Sequence, residues 1–284
     1  MIVLLFADLT LRELARRRVV AVVALLTLVI VAFTGWGMHR LATSVVDGTP
    51  LPDAAVRATA AGIVLLLAFL FSFVLALGAA LIGAPALAES IANGEILAVL
   101  ARPIRRGDVV VGRWFGTVLA LAVYIALAGG IELVVVRLAT GYLPPHPVTA
   151  LAYLTALAAV VTTAAIALAA RLPAPAAGIV AALLFGLAWI GGIVEAIGLG
   201  LGNMKLADAG TLVTLFFPSD ALWRGAIYAL EPAVFASAAA ASGAGTPNPF
   251  EVTAPPPPAM LVWAVGWIVV VLVTGIVLFR SRDL

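Results

Sequence analysis

The chain has 284 residues, 64% of them hydrophobic and 11% charged, with a mean hydropathy of +1.20. A soluble domain carries about 45–50% apolar and about 25% charged residues, so this chain cannot clothe a water-facing surface, and a large soluble catalytic or nucleic-acid-binding domain is excluded. Cysteine is absent, which removes disulfides, thiolate metal sites and cysteine nucleophiles, and the formal net charge of +2 reports membrane orientation rather than affinity for nucleic acid.

The first element is a leader, residues 1–18. On a helix, Leu4, Ala7, Leu11 and Leu14 share one face, with Asp8, Arg12, Glu13, Arg16 and Arg17 around the rest and Arg18 at the end. Leu5 and Leu9 interrupt the polar side. The segment reads as an amphipathic helix lying on the inner leaflet, or as an ordinary basic flank of the first span.

A helix needs about 20 apolar residues to cross about 30 Å of hydrocarbon. Six such runs predict spans at about 19–38, 59–84, 113–137, 148–170, 173–194 and 259–279. The first follows a long charged leader, is full length and has no convincing small-x-small site after it, so it is expected to stay as an anchor. Between spans two and three lies a charged stretch, 89–112; between spans four and five, Arg171-Leu172-Pro173-Ala174-Pro175 predicts a tight turn into a helix start. The largest piece outside the spans is 195–258. Within it Ala209–Ser219 is apolar but too short to cross, which predicts a re-entrant or interfacial segment. Pro232–Phe250 is uncharged but built from Ala, Ser, Gly and Pro, which gain little from lipid, and Pro255–Pro258 follows it in extended form, so it is left outside the membrane. With both termini in the cytoplasm, eleven of the sixteen Arg and Lys residues fall on the cytoplasmic side, as the positive-inside rule requires.

The stretch after span two carries the most information. Asn93-Gly94 interrupts a helix; Ile96, Leu97, Val99 and Leu100 then form a short apolar stripe. Arg102-Pro103 ends it, because a residue before proline avoids helical geometry. Gly107 or Asp108 is placed to cap the helix that rises through Gly112-Arg113. Such a short helix, pinned between two spans, can dock on a soluble partner or rest on the headgroups.

This passage resembles the cytoplasmic signature of ABC-2 type permeases, the membrane subunits of ATP-driven exporters. The matching positions are Glu89, Gly94, Leu100, Arg102, Pro103, Ile104, Arg106, Asp108 and Gly112. Glu95 replaces the family's Thr, Leu97 a carboxylate, Ala101 and Arg105 its serines, and Arg113 its Lys. Phe217-Pro218-Ser219-Asp220-Ala221-Leu222-Trp223 and the ending Leu278-Phe279-Arg280-Ser281-Arg282-Asp283-Leu284 agree, so the similarity covers essentially the whole chain.

The resemblance implies an all-α, polytopic membrane protein of six transmembrane helices, with an interfacial leader marked by Arg12, Arg16, Arg17 and Arg18. A short coupling helix between spans two and three would carry Glu89, Gly94, Glu95, Leu100, Arg102, Pro103, Arg105, Arg106 and Asp108. It implies a permease without catalysis of its own, docked on two copies of an ABC ATPase subunit that binds ATP and magnesium, paired with a second permease subunit. It also implies a prokaryotic plasma membrane. Independently, a phosphate loop needs Gly-Lys-Ser/Thr, and the one lysine sits in Met204-Lys205-Leu206. The alternative reading is an ion-coupled secondary transporter, which would place charged residues mid-membrane on broken helices.

Other residues invite weaker readings. Glu132, Arg137 and Glu195 sit near span ends, with Glu195 closing span five, and are expected to reach interfacial water. Gly112 and Gly116 form a small-xxx-small pair suited to a close helix crossing. His39 and His146 are isolated, without a carboxylate cluster, and predict no metal site. Ser242-Gly243 has no histidine on a later span, and no nucleophile–base set suggests an enzyme. Nothing in the pattern selects a substrate.

Overall fold

The computed structural model describes residues 2–16, 18–46, 48–92, 105–231, 252 and 254–281. Among them are nine helices: α1 (Ile2–Arg16), α2 (Arg18–Ala42), α3 (Asp53–Ala92), α4 (Arg106–Thr140), α5 (Pro147–Ala169), α6 (Ala174–Gly200), α7 (Met204–Phe216), α8 (Ser219–Leu230) and α9 (Pro258–Arg280). A two-residue hairpin, β1 (Val45–Val46) with β2 (Thr49–Pro50), turns at Gly48 between α2 and α3. Six helices (α2, α3, α4, α5, α6 and α9) are long and apolar enough to cross a membrane. The chain is an all-α, multi-pass membrane protein.

The helices outrun the expected spans. α3 has 40 residues and α4 has 35, which at 1.5 Å per residue is about 60 and about 50 Å, against about 30 Å of hydrocarbon. Charged residues such as Glu89 and Arg113 mark where the apolar run stops, yet the backbone ladder continues past them. Pro85 lies inside α3 and withholds one ladder hydrogen bond, from the Leu81 carbonyl. α6 reaches Gly200, so Glu195 lies within that helix rather than closing it.

α5 is the axis of the bundle. It packs against α3, α4, α6, α8 and α9, and every residue from Leu157 to Ala167 is buried. Most of these are Ala, Val and Thr, small enough to admit neighbouring backbones where lipid offers no hydrophobic drive to association. An aromatic cluster fills the wider gap between α3, α6 and α8, with Phe73 at 5.3 Å from Phe185 and 5.2 Å from Trp189, ring centroid to centroid, and Phe69 at 6.1 Å from Trp223. Edge-on geometry dominates, as ring quadrupoles prefer.

α7 folds back along the last turns of α6. Asn203 caps it by accepting the Leu206 amide at 3.3 Å. The return is possible because a Cβ on Gly198 would collide with the Ala207 amide nitrogen, and one on Gly210 with the Glu195 backbone. After Phe217-Pro218, α8 packs against α5 and α6. The Trp263 and Trp267 indoles donate to the Leu215 and Phe216 carbonyls, at 2.9 and 2.8 Å. Trp267 lies about 14 Å along α9, so the α7–α8 hairpin reaches well alongside a spanning helix.

Candidate functional site

Two ends of the bundle carry the polar contacts. At the Arg-rich end, α1 lies across α4. A Cβ on Gly112 would stand 2.5 Å from the Phe6 Cβ, and one on Gly116 2.7 Å from the Ala7 carbonyl oxygen, so only glycines allow this crossing. The small-xxx-small pair thus receives the leader. The leader's buried residues are Phe6, Ala7 and Thr10, not the Leu4–Ala7–Leu11–Leu14 face expected from its pattern. Phe6 and Ala7 lie directly over the two glycines, and Leu4, Leu5 and Leu9 are left exposed.

Arg113, 5% exposed, fixes that crossing. It pairs with Glu13 of α1, and its Nη2 donates to the Ser90 hydroxyl of α3 at 3.0 Å. One guanidinium therefore joins the leader, the end of α3 and the start of α4. Arg106 does the same for the C-terminal helix: its Nη1 donates to the Phe279 and Arg280 carbonyls at 3.3 and 3.1 Å, and its guanidinium carbon stands 5.9 Å from the Phe279 ring centre. From the α5–α6 turn, Arg171 donates to the Ser281 hydroxyl.

The residues expected to couple to a partner divide accordingly. Glu89, exposed on the last turns of α3, and Arg105, Arg106 and Asp108 at the start of α4 are brought to this one face. Gly94, Glu95, Leu100, Arg102 and Pro103 lie outside the described residues, as does the short helix expected around them. Arg12 pairs with Asp8 at 2.9 Å, and Arg16 is exposed. Arg17 and the Arg18 side chain lie outside the described residues. The cap of α4 is Arg105, in extended conformation and without a side-chain cap bond, rather than Gly107 or Asp108, which sit in the first turn where the Asp108 charge favours the helix dipole. Glu13 and Ser90 were not anticipated. They lie 100 and 23 residues from Arg113, and no spacing rule reaches across separate helices.

At the far end, Asp220, on the first turn of α8, accepts Arg224 Nε at 2.7 Å, while Arg224 Nη2 donates to the Gly192 carbonyl, also at 2.7 Å. A Cβ on Gly192 would overlap the Asp220 carboxylate, so α6 and α8 touch there. Beside them Thr211 donates to the Glu195 carboxylate at 2.8 Å. The Tyr142 hydroxyl donates to the Leu230 carbonyl at 3.3 Å and the His146 amide to the Ala229 carbonyl at 3.0 Å, which ties the end of α8 to the α4–α5 loop. Burial pushes the Tyr142 phenol up to about 12, so it stays a donor through the neutral range. Glu132, partly buried, lines a cavity between helices and is hydrogen-bonded to Thr34, while Arg137 is exposed.

A family model described as "ABC-2 family transporter protein" matches residues 11–284. No match was found among curated proteins.

Proposed function

Because the chain belongs to the ABC-2 transporter family, we propose that it is the membrane-spanning permease subunit of an exporter, driven by a separate ATPase. Two ATPase copies would bind ATP and magnesium and dock where residues 93–104 leave α3 and return to α4, and a second permease subunit, identical or related, would complete the pathway. The Arg-rich end then faces the cytoplasm of a prokaryotic cell, with both termini inside. The distribution of Arg and Lys supports that orientation.

The observation that carries the reading is the anchoring of the two helices flanking residues 93–104. Arg113 ties them to the leader, and Arg106 ties α4 to the end of α9. A push on the intervening segment would move α1, α3, α4 and α9 together, as a rigid-body switch between inward- and outward-facing arrangements demands. The chain itself would perform no chemistry.

Coexpression with the product of an adjacent gene carrying a phosphate loop tests this. The two should copurify, and E89Q or R106A should cut transport-coupled ATPase activity while the protein still inserts in the membrane. Failure to bind any such subunit, with transport driven by an ion gradient alone, would overturn the reading in favour of a secondary transporter.

A further inference from the structure

A cavity of about 330 Å³ lies among α2, α3, α4 and α5, with Leu230 at the end of α8 closing one side. That is within the range of small-molecule sites, about 300–1,000 Å³. Its walls are almost wholly aliphatic and aromatic. Ile30, Leu70 and Val74, at its margin between α2 and α3, are each more than half exposed, so the cavity opens sideways between these two helices. α2 and α3 pack only sparsely against each other along this side.

Three polar side chains line the cavity. Thr27 and Tyr124 satisfy each other, oxygen to oxygen at 3.0 Å, and Thr27 also donates to the Val23 carbonyl at 2.8 Å. The third is Glu132. Its carboxylate is hydrogen-bonded to Thr34, but Oε1 is enclosed without a hydrogen-bond partner, and no arginine or lysine pairs with it among the described residues. Elsewhere in the bundle the buried acid has its base: Asp220 has Arg224. A carboxylate beside an apolar space, with no protein cation, is costly unless it takes up a proton or a ligand brings the opposite charge.

We propose that this cavity binds a lipophilic cation, entering from the bilayer between α2 and α3, with Glu132 as its counter-ion. The apolar walls take up the hydrophobic body and the carboxylate selects its charge, so anionic and neutral molecules of the same shape are discriminated against. That such a ligand is the exported cargo rests on the permease reading above; that it binds does not.

Equilibrium binding of tritiated tetraphenylphosphonium to the purified chain, in nanodiscs of zwitterionic phosphatidylcholine, tests the site without any ATPase. Saturable binding is expected, with E132Q weakening it by about tenfold or more, as the loss of a charge pair in a low-dielectric site implies. L70W, which narrows the lateral mouth and keeps the charge, should also weaken it. Tetraphenylborate, an anion of the same shape, should fail to displace the cation. Equal affinity in E132Q, or displacement by tetraphenylborate as readily as by unlabelled cation, overturns the proposal. Should E132Q not fold, the displacement experiment on the unmodified chain decides alone. Binding without ATP-driven efflux in a reconstituted complex that hydrolyses ATP would show that the ligand is not the cargo and leave the site standing; failure to bind any ATPase would sink the permease reading alone.

Discussion

Two partly or wholly buried arginine–carboxylate pairs, one at either end of the described bundle, are built differently. At the far end, Asp220 and Arg224 are four residues apart on one helix, and Arg224 reaches outward to the Gly192 carbonyl. At the Arg-rich end, Arg113 and Glu13 are separated by 100 residues and belong to different helices, with Ser90 of a third held by the same guanidinium. The first pair organises the tip of a local hairpin. The second joins elements that would otherwise move separately. They differ also in exposure: the Asp220 side chain is 4% exposed and that of Glu13 45%, so Glu13 can recover water if its partner is lost.

That difference ranks the outcomes of breaking them. R224A should cost most, because it strands the Asp220 carboxylate, 4% exposed, against Gly192 without its base. Breaking a buried pair by removing one partner costs about 3–5 kcal/mol, and thermal unfolding of the purified protein should show it as a large drop in midpoint. Adding D220N to R224A should recover most of the loss, since the stranded charge is then gone. If R224A melts like the parent protein, the far-end pair is not what holds α8 to α6.

R113A should cost less, about 1–3 kcal/mol, because Glu13 rehydrates and the main loss is of charge-assisted hydrogen bonds. Its signature is local. The leader should lift from the Gly112–Gly116 groove, so trypsin should cut after Arg12 and Arg16 faster than in the parent chain, while the global midpoint moves less than in R224A. Unchanged cleavage would mean that packing of Phe6, Ala7 and Thr10 alone holds α1.

A third, smaller effect sharpens the far-end half of the comparison. W267F keeps the ring against Phe217, whose centroid lies 5.2 Å away, but removes the donor to the Phe216 carbonyl. One neutral hydrogen bond is worth about 0.5–1.5 kcal/mol, toward the upper end where no water can replace it. Loss on that scale in the unfolding midpoint is expected. No change would place the hairpin tip in contact with water.

How much of this could be read in advance follows from the range over which each feature acts. The six crossing helices were legible because an apolar run of about 20 residues is a local, additive signal. Their ends were not: helices continue through Glu89 and Arg113 because the ladder does not stop where the hydrocarbon does. Ala209–Ser219 was recognisable as too short to cross, but the helix proper is Met204–Phe216, begun by Asn203 and placed by the close approach of Gly198 and Gly210 to a neighbouring backbone. Asp220–Arg224 has a spacing that sequence alone offers, whereas Glu13–Arg113 has none. Glu132 was placed near a span end by counting along the chain, and counting does not say which way around a helix a side chain points.

The leader supplies the control for the whole comparison. Asp8 and Arg12 have the same four-residue spacing and the same order, acid before base, as Asp220 and Arg224, and the ion pair is 2.9 Å long against 2.7 Å. Yet the Arg12 and Asp8 side chains are 70% and 50% exposed. Water and salt screen such a pair, and exposed pairs at this spacing are worth about 0.3–0.5 kcal/mol. R12A should therefore leave the unfolding midpoint within error of the parent and leave the trypsin sensitivity of Arg16 unaltered. If R12A instead behaved like R224A, helical spacing rather than burial would be setting the strength of these pairs. Geometry alone would then rank the two ends.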